Sequence, residues 1–278
     1  MAFQIADLFE AVADTVPARD AAVAGEQRAT YAELDALATR LAHVLRDRGV
    51  RAGRHVGCLL GNSIDHLAAI LGCYKLRAVP INVNTRYTSS ELAYVFDDAD
   101  LVAVIRDADA PAGDRIDVDV RTADYGAALA DASDERDFGS RSGDDHYILY
   151  TGGTTGRPKG VVWRQEDIFF AALGGGNPGG PPITQPEEIR ASVVNNPAQR
   201  LRAFLGPDDP GPPQFVSLAL GPLMHASGQW SALGTLLGGG KVVLYDRAHV
   251  DMTYVLDLVA RERVNAMNIV GDATARPL

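Results

Sequence analysis

A loop rich in glycine and threonine carries the residue types best suited to chemistry in this chain. It reads YTGGTTGRPKGV and runs from Tyr150 to Val161. Glycine allows the backbone to turn its N–H groups inward without Cβ clashes, and a concave set of such donors binds anions. Lys159 and Arg157 add positive charge, while the threonine hydroxyls add further donors. The loop therefore predicts a polyphosphate site, and the alternative is a small polar hairpin turn that binds nothing.

The spacing of this loop differs from that of the Walker A phosphate-binding loop. A Walker A loop has Gly-Lys-Ser/Thr in succession and continues into a helix. Here Pro158 precedes Lys159, and the apolar run from Gly160 to Trp163 predicts a strand. Residues 146–151, before the loop, also predict a strand. The phosphate-binding groups are therefore expected between two strands.

The elements that must position this loop alternate between amphipathic helices and short apolar strands. Apolar residues recur at helical spacing over 5–16, whereas 101–105 is a continuous apolar run. This alternation predicts an α/β fold with mostly parallel sheets covered by helices. Further helices are predicted over 30–49, 63–77, 165–173, 227–237 and 250–263, from residue 88 onward and near 186–204. Further strands are predicted over 55–60, 215–220, 241–245 and 265–270, and 78–83 is predicted to be a strand or an extended turn.

Two α/β subdomains are predicted, over residues 1–140 and 141–278. The second contains the glycine-rich loop and an irregular Gly/Pro-rich insert over 174–214, which is longer than ordinary connections. The charged segment 131–137 predicts a solvated connection, because nothing there fixes carboxylates at the spacing of acid/base pairs. The chain stops just after a predicted strand, so we expect the second subdomain to be incomplete at its C-terminal end.

Composition and charge exclude several classes of protein. The 278 residues include 26 Lys+Arg and 36 Asp+Glu, a formal net charge of −10, and 46% are hydrophobic. The apolar fraction excludes a mainly disordered chain, and the acidic balance argues against binding nucleic acid through phosphate neutralisation.

Cys58 and Cys73 lie in apolar surroundings without zinc-ligand spacing, so both are predicted to be buried and no metal ligand is assigned. The sequence shows neither a signal peptide nor a membrane-spanning run, which predicts a cytoplasmic protein.

Several segments resemble the adenylate-forming enzymes, a family that includes acyl-CoA synthetases, aryl-CoA ligases, luciferases and peptide-synthetase adenylation domains. The loop over 150–161 is similar to the family's phosphate-binding signature, and residues 221–228, GPLMHASG, are similar to its Pro-Leu-x-His-x-x-Gly segment. Residues 30–34 (TYAEL) and 79–82 (VPIN) resemble common segments of its N-terminal domain. The resemblance covers nearly the whole chain. Residues 163–169 and the insert look most like actinobacterial fatty-acyl and steroid-side-chain CoA ligases.

The resemblance implies an ATP-dependent carboxylic acid–CoA ligase that acts on a fatty or other hydrophobic acid. The acid would attack the α-phosphorus of ATP and expel pyrophosphate, and CoA would then take the acyl group from acyl-AMP, with Mg²⁺ bridging phosphate oxygens. Lys159 and His225 would be catalytic, with His225 beside the reacting carboxylate, while Met224 and Trp230 would line an acyl pocket. The residues that would hold the β- and γ-phosphates are Thr151, Gly152, Gly153, Thr154, Thr155, Gly156 and Lys159.

The later motifs of the family are absent from this sequence. They are the Tyr-Gly-x-Thr-Glu segment with its metal-binding Glu, the ribose-binding Asp, the hinge and the lysine of the C-terminal domain. The chain thus looks like an N-terminal portion of such an enzyme, and we expect little or no ligase turnover from it alone. An unfinished sheet leaves an open edge, so self-association is also expected.

Two other functions fit the same residues. An adenylation enzyme that loads a carrier protein would have the same phosphate loop, because its acceptor contacts lie mostly in the parts of the family that this sequence lacks. A catalytically dead nucleotide-binding or interaction module is the second alternative. The end of the chain at Leu278 favours that module, and the intact loop weighs against it.

Overall fold

Helices and strands alternate along most of the chain. The computed structural model describes residues 1–111, 116–153, 156–177, 180–194, 214–247 and 249–269. The helices are α1 (Ile5–Thr15), α2 (Tyr31–Asp47), α3 (Ile64–Lys75), α4 (Ser89–Asp98), α5 (Tyr125–Ala130), α6 (Gln165–Ala172), α7 (Ala226–Leu237) and α8 (Met252–Glu262). The strands are β1 (Asp20–Ala24), β2 (Gln27–Thr30), β3 (His55–Leu59), β4 (Val79–Asn82), β5 (Leu101–Arg106), β6 (Val118–Arg121), β7 (His146–Gly153), β8 (Gly156–Arg164), β9 (Val216–Ala219), β10 (Lys241–Leu244) and β11 (Ala266–Asn268).

The described strands form three sheets. The first has the order β11-β9-β10-β1-β2, and all of its pairs are parallel except β1 with β2. The second has the order β4-β3-β5-β6 and is parallel throughout, while the third is the antiparallel hairpin β7-β8. The predicted α/β class with mostly parallel sheets is confirmed. Because β1 pairs with β10, the first sheet takes strands from both sides of the predicted subdomain boundary at residue 140.

The helices pack on the sheets through two large apolar cores. The main core joins α1, α3, α6, α7 and one face of α2 to the first sheet, and another joins α2, α3 and α5 to the second sheet. Helices α2 and α3 cross closely at Gly72, where a Cβ would lie only 2.8 Å from the Ala38 carbonyl oxygen. Cys58 and Cys73 are both buried, as predicted. In the described part of the chain, every helix is too short or too polar to pass through a membrane.

Most of the predicted elements are present, and the differences fall on short ones. Sequence analysis missed β1, β2, β6 and α5, each of which is at most six residues long and shows little periodicity. The charged segment 131–137 is largely exposed, and Asp134 forms an ion pair with Arg40 of α2. Within the insert, residues 186–194 are helical, whereas 178–179 and 195–213 lie outside the described residues.

Candidate functional site

The tip of the β7-β8 hairpin carries the residues that were predicted to bind phosphate. The strands pair so that Thr151 lies opposite Lys159 and Gly153 lies opposite Gly156. Side chains of directly opposite residues in an antiparallel pair lie on the same face of the sheet. The Lys159 ammonium and the Thr151 hydroxyl therefore lie on one side of the hairpin, and both side chains are exposed. This arrangement presents a cation and a hydroxyl together to a ligand in solvent.

The other polar residues of the loop differ in their surroundings. Thr154 and Thr155 lie outside the described residues, and Gly152 is exposed. The Arg157 guanidinium carbon lies 4.8 Å from the centre of the Tyr94 ring in α4, a cation–π contact. Lys159, by contrast, forms no ion pair within the described residues. The two cations of the motif therefore do not play equivalent parts: one anchors the hairpin, and the other is available to an anion.

Tyr150 holds the base of the glycine-rich loop, directly before Thr151. The Tyr150 hydroxyl donates a hydrogen bond to Asp98 of α4 at 2.7 Å. Gly160 lies opposite Tyr150, and a Cβ at residue 160 would lie 2.8 Å from Cε2 of the tyrosine ring. Burial, together with the Asp98 carboxylate, raises the pKa of Tyr150, so its hydroxyl remains a donor at neutral pH. Gly160 thus serves packing at the base of the loop rather than contact with a ligand.

His225, the second predicted catalytic residue, lies at the N-cap position of α7 with an exposed side chain. The side chain makes no capping hydrogen bond, and the backbone N–H donates to the Pro222 carbonyl at 3.0 Å. Partial burial and the positive charge of Arg86 lower the pKa of the imidazole. Both effects favour the neutral form of the ring, which is exposed and is not a core histidine satisfied by backbone groups.

The Asn82 side chain joins the hairpin to the His225 segment. Its amide bonds to both polar backbone groups of Tyr150 and also to the Met224 carbonyl, one residue before His225. The phosphate-loop residue Thr151 directly follows Tyr150. Sequence analysis named Asn82 only as part of a family-like segment. The available signal was a single polar residue at the end of an otherwise apolar strand.

A cavity of about 300 Å³ lies beside Trp230. The Trp230 indole N–H donates to the Tyr147 hydroxyl at 3.0 Å, and this hydroxyl donates in turn to the Gln229 side chain. Met224 is buried away from this wall, and its sulfur accepts a hydrogen bond from the Thr85 backbone at 3.4 Å. The described residues that line the cavity include Leu173, Phe215, Ser217, Trp230, Gly234 and Met267. Trp230 therefore lies at a cavity whose α7 wall runs from Trp230 to Thr235, and Met224 does not line it.

The family of the chain follows from comparison with known proteins. A family model described as AMP-binding enzyme matches residues 9–276. The chain belongs to the AMP-binding enzyme family. Within the described residues of this family member, no group of three or more His, Cys, Asp or Glu side chains is placed to hold a metal ion.

Curated relatives of this AMP-binding chain include CoA ligases. It is 39% identical over 299 residues to a 3-oxocholest-4-en-26-oate–CoA ligase of Rhodococcus rhodochrous, a match to 100% of this chain and 51% of that protein. It is 36% identical over 304 residues to a medium/long-chain-fatty-acid–CoA/3-oxocholest-4-en-26-oate–CoA ligase of Mycobacterium marinum, a match to 100% and 52% respectively. The chain thus spans about half the length of the curated relatives it matches.

Solved structures of the family share the fold. The inhibitor-bound N-terminal domain of FACL13 from Mycobacterium tuberculosis matches with a TM-score of 0.72 and 24% identity, over 96% of this chain and 62% of that one. The O-succinylbenzoate–CoA synthetase MenE from Bacillus subtilis, in complex with AMP, matches with a TM-score of 0.72 and 23% identity, over 94% and 60%. The predicted likeness to the N-terminal domain of adenylate-forming enzymes is therefore confirmed at the level of the fold.

Proposed function

We propose that this chain forms the phosphate- and carboxylate-binding part of an ATP-dependent carboxylic acid–CoA ligase. The observation that supports this most directly is the hairpin tip, where exposed Lys159 lies opposite exposed Thr151. A cation and a hydroxyl on one face, beside a glycine-rich turn, suit the charge and the acceptor oxygens of a triphosphate. His225 is connected to the same hairpin through Asn82 and would hold the substrate carboxylate. The names of the CoA-ligase relatives agree with this assignment.

The proposed reaction has two steps, and each takes its nucleophile from a substrate. A carboxylate oxygen attacks the α-phosphorus of ATP, the bond to the pyrophosphate oxygen breaks, and pyrophosphate leaves. The CoA sulfur then attacks the acyl carbonyl, loses its proton and displaces AMP. The protein therefore contributes positioning and stabilisation of charge. Lys159 and the loop N–H groups would stabilise the charge of the departing pyrophosphate, and Mg²⁺ bound with the nucleotide would supply further positive charge.

We propose a fatty or other hydrophobic acid as the substrate, with its chain in the cavity beside Trp230. Phe215, Met267 and Leu173 supply apolar walls to that cavity. The cavity lies along α7, the helix that begins just after His225, so an acid held at His225 could extend into it. We further propose that the protein acts in the cytoplasm. An adenylation enzyme that loads a carrier protein would share these features, and only the acceptor distinguishes the two.

Binding of an acyl-adenylate analogue by the 278-residue chain tests the proposal without requiring turnover. Calorimetry would compare decanoyl-sulfamoyladenosine with AMP, which lacks the acyl chain. We expect the analogue to bind at least about tenfold more tightly, because it fills the carboxylate position and the cavity as well as the nucleotide site. Trp230→Ala should reduce that preference and leave the affinity for AMP within about twofold.

The same titrations separate the proposed ligase from one of its alternatives. Equal affinities for the analogue and AMP would contradict the ligase and favour a nucleotide-binding module without an acyl site. A preference for the analogue supports an acyl-adenylate site, which the proposed ligase and an enzyme that loads a carrier protein would share.

A further inference from the structure

Asn82 is a buried side chain at the junction of three separate sheets. It ends β4 in the second sheet and is 6% exposed. Its Nδ2 donates to the Tyr150 carbonyl at 2.9 Å, and its Oδ1 accepts from the Tyr150 N–H at 2.7 Å. The amide thus pairs with β7 of the third sheet as a neighbouring strand would. Its side chain replaces the backbone partner that this edge of β7 would otherwise need.

The second hydrogen of the same amide nitrogen is used on a different segment. Nδ2 also donates to the Met224 carbonyl at 2.6 Å, in the loop that follows β9 of the first sheet. An Asn amide has two N–H donors and one carbonyl acceptor, and all of these are engaged here. One rigid planar group therefore sets the position of Tyr150 relative to Met224.

The residues that directly follow these two contacts are the ones assigned to substrate binding. Thr151 comes after Tyr150, and His225 comes after Met224. We propose that Asn82 is a positioning residue that sets the distance between the phosphate loop and the carboxylate-binding histidine. This role rests on the proposed function, because it matters only where the polyphosphate of ATP and the carboxylate of the acid are bound at the same time. A displacement of about 1 Å between reacting groups can cost roughly a hundredfold in rate, so a residue that fixes this distance would affect the rate of the reaction.

ATP and an acyl-adenylate analogue depend on different parts of this joint. ATP would meet the loop through its β- and γ-phosphates, whereas an acyl-adenylate analogue carries neither and depends on reaching His225 from the nucleotide part of the site. Loss of the Asn82 amide frees the two segments to move apart without changing the groups on either of them. Asn82→Ala should therefore weaken the analogue by about tenfold or more and weaken ATP by less than about threefold.

Gln4 offers a matched control for the structural cost of this substitution. Its buried amide also makes three hydrogen bonds to backbone groups, to Tyr74, Ala6 and Asp7, at 2.9, 2.7 and 3.1 Å. These bonds join α1 to α3 and touch neither the hairpin nor the His225 segment. Gln4→Ala should lower the thermal stability to a similar extent but leave the ratio of analogue affinity to ATP affinity unchanged.

Asn82→Asp supplies a second variant whose defect is reversible. The carboxylate keeps an acceptor for the Tyr150 N–H but faces the Tyr150 and Met224 carbonyl oxygens without a donor. A protonated carboxyl group regains one donor and has nearly the shape of the amide. The ratio of analogue to ATP affinity in this variant, relative to wild type at the same pH, should recover as the pH falls from 8 to 5.5.

Calorimetric titration of the wild-type chain and the three variants, with folding checked by circular dichroism, decides the matter. A selective loss in Asn82→Ala, no change of the ratio in Gln4→Ala and recovery of Asn82→Asp at low pH support the positioning role. An unchanged ratio in Asn82→Ala overturns it while the proposed function stands. If Asn82→Ala does not fold, a pH-independent ratio in Asn82→Asp overturns it. If the wild-type chain shows no preference for the analogue, the proposed function itself is overturned.

Discussion

At the scale of single residues, the two cations of the hairpin differ in their surroundings: one contacts an aromatic ring of the protein, and the other faces solvent. Arg157 stacks on Tyr94 of α4, whereas the Lys159 side chain is exposed opposite Thr151. Both backbones are held in β8, so the difference lies in the side chains. A planar guanidinium suits an aromatic face, and a compact ammonium on a flexible stem suits a phosphate that changes charge during reaction.

Lys159→Ala is expected to lower the affinity for MgATP by roughly 10- to 100-fold, the effect of losing a charged hydrogen bond. The reason is the loss of the exposed positive charge beside the Thr151 hydroxyl. Calorimetric titration with MgATP provides the measurement. Arg157→Ala is the control, and its smaller effect on affinity should come with a lower melting temperature. Equal affinities of wild type and Lys159→Ala would remove this lysine from the site.

The charge of Arg86 should be visible in the titration of His225. Partial burial lowers the pKa of this histidine, and the nearby guanidinium lowers it further. Arg86→Ala should therefore raise the His225 pKa toward its ordinary value, as measured by NMR of the imidazole protons. Arg164→Ala serves as the control, because Arg164 is paired with Asp144, Glu166 and Asp167. A His225 pKa that does not rise in Arg86→Ala would show that the two groups do not interact.

At the scale of elements, Gly228 explains the spacing of the His-x-x-Gly segment. A Cβ at this position in the first turn of α7 would lie 2.4 Å from the Pro222 carbonyl oxygen and 2.5 Å from that of Gly221. The neighbours are backbone atoms, which cannot turn aside as a flexible side chain can. The glycine therefore lets the helix pack directly on the loop before it, and this contact fixes where His225 emerges.

Gly228→Ala should accordingly lower the free energy of unfolding by about 1–3 kcal/mol, the usual cost of overpacking. Urea denaturation monitored by circular dichroism would measure the change. Gly126→Ala in α5 is the matched control, because a Cβ there meets nothing within 4 Å. That substitution should be neutral or stabilise the protein by up to about 1 kcal/mol, because alanine favours helix. A Gly228→Ala protein as stable as wild type would contradict the close packing.

Helix α8 is attached to the first sheet through Glu262, and this attachment depends on pH. Burial acts to raise the pKa of Glu262, but Arg28 of β2, at 2.6 Å, and Lys241 of β10, at 3.0 Å, outweigh it and lower the pKa to about 2. A pKa depressed on folding adds stability above the unfolded-state value of 4.5, and this stability is lost as the pH falls toward 2. The stability difference between wild type and Glu262→Gln should therefore shrink between pH 5 and pH 2 in urea titrations.

Glu26 provides the control for this pH dependence. Its carboxylate is 96% exposed and lies 3.4 Å from Arg261. Exposed ion pairs contribute little to stability, so Glu26→Gln should have the same pH profile as wild type. A Glu262→Gln difference that is constant from pH 5 to pH 2 would contradict the role of this carboxylate.

The elements that sequence could predict are those with a local signal. Thr30 and Thr88 begin α2 and α4 with capping boxes that can be read directly from the sequence, and the structure contains both. Strand β1 has no such signal: its five residues become a strand through parallel pairing with β10, more than 200 residues away. The loop motif likewise made Lys159 a candidate, whereas the role proposed for Asn82 depends on three sheets meeting, which no local pattern contains.

At the scale of the whole molecule, the candidate site lies where the sheets converge. The end of β4, the base of the glycine-rich loop and the loop after β9 meet at Asn82. A hydrogen bond from the Tyr147 hydroxyl to the Gln229 side chain also joins β7 to α7. Ligands of parallel α/β sheets commonly bind at the carboxyl ends of strands. In this molecule that edge gathers the phosphate loop and His225 although they are about 70 residues apart in sequence.

The outer edge of β8 is the surface on which we expect this molecule to self-associate. Among the described residues, β8 pairs with β7 alone, and Val161 and Val162 are 44% and 58% exposed on opposite faces of the strand. An unpaired edge with apolar side chains is a template for another strand. Val162→Lys should therefore reduce the concentration-dependent rise in sedimentation coefficient expected for wild type, because a charge on an edge strand opposes pairing.

Leu256→Lys is the matched control, since Leu256 is also 58% exposed but lies on α8, which has no free strand edge. Equal effects of the two lysine substitutions would assign the association to general surface hydrophobicity, and a wild-type chain that stays monomeric at all concentrations would contradict it.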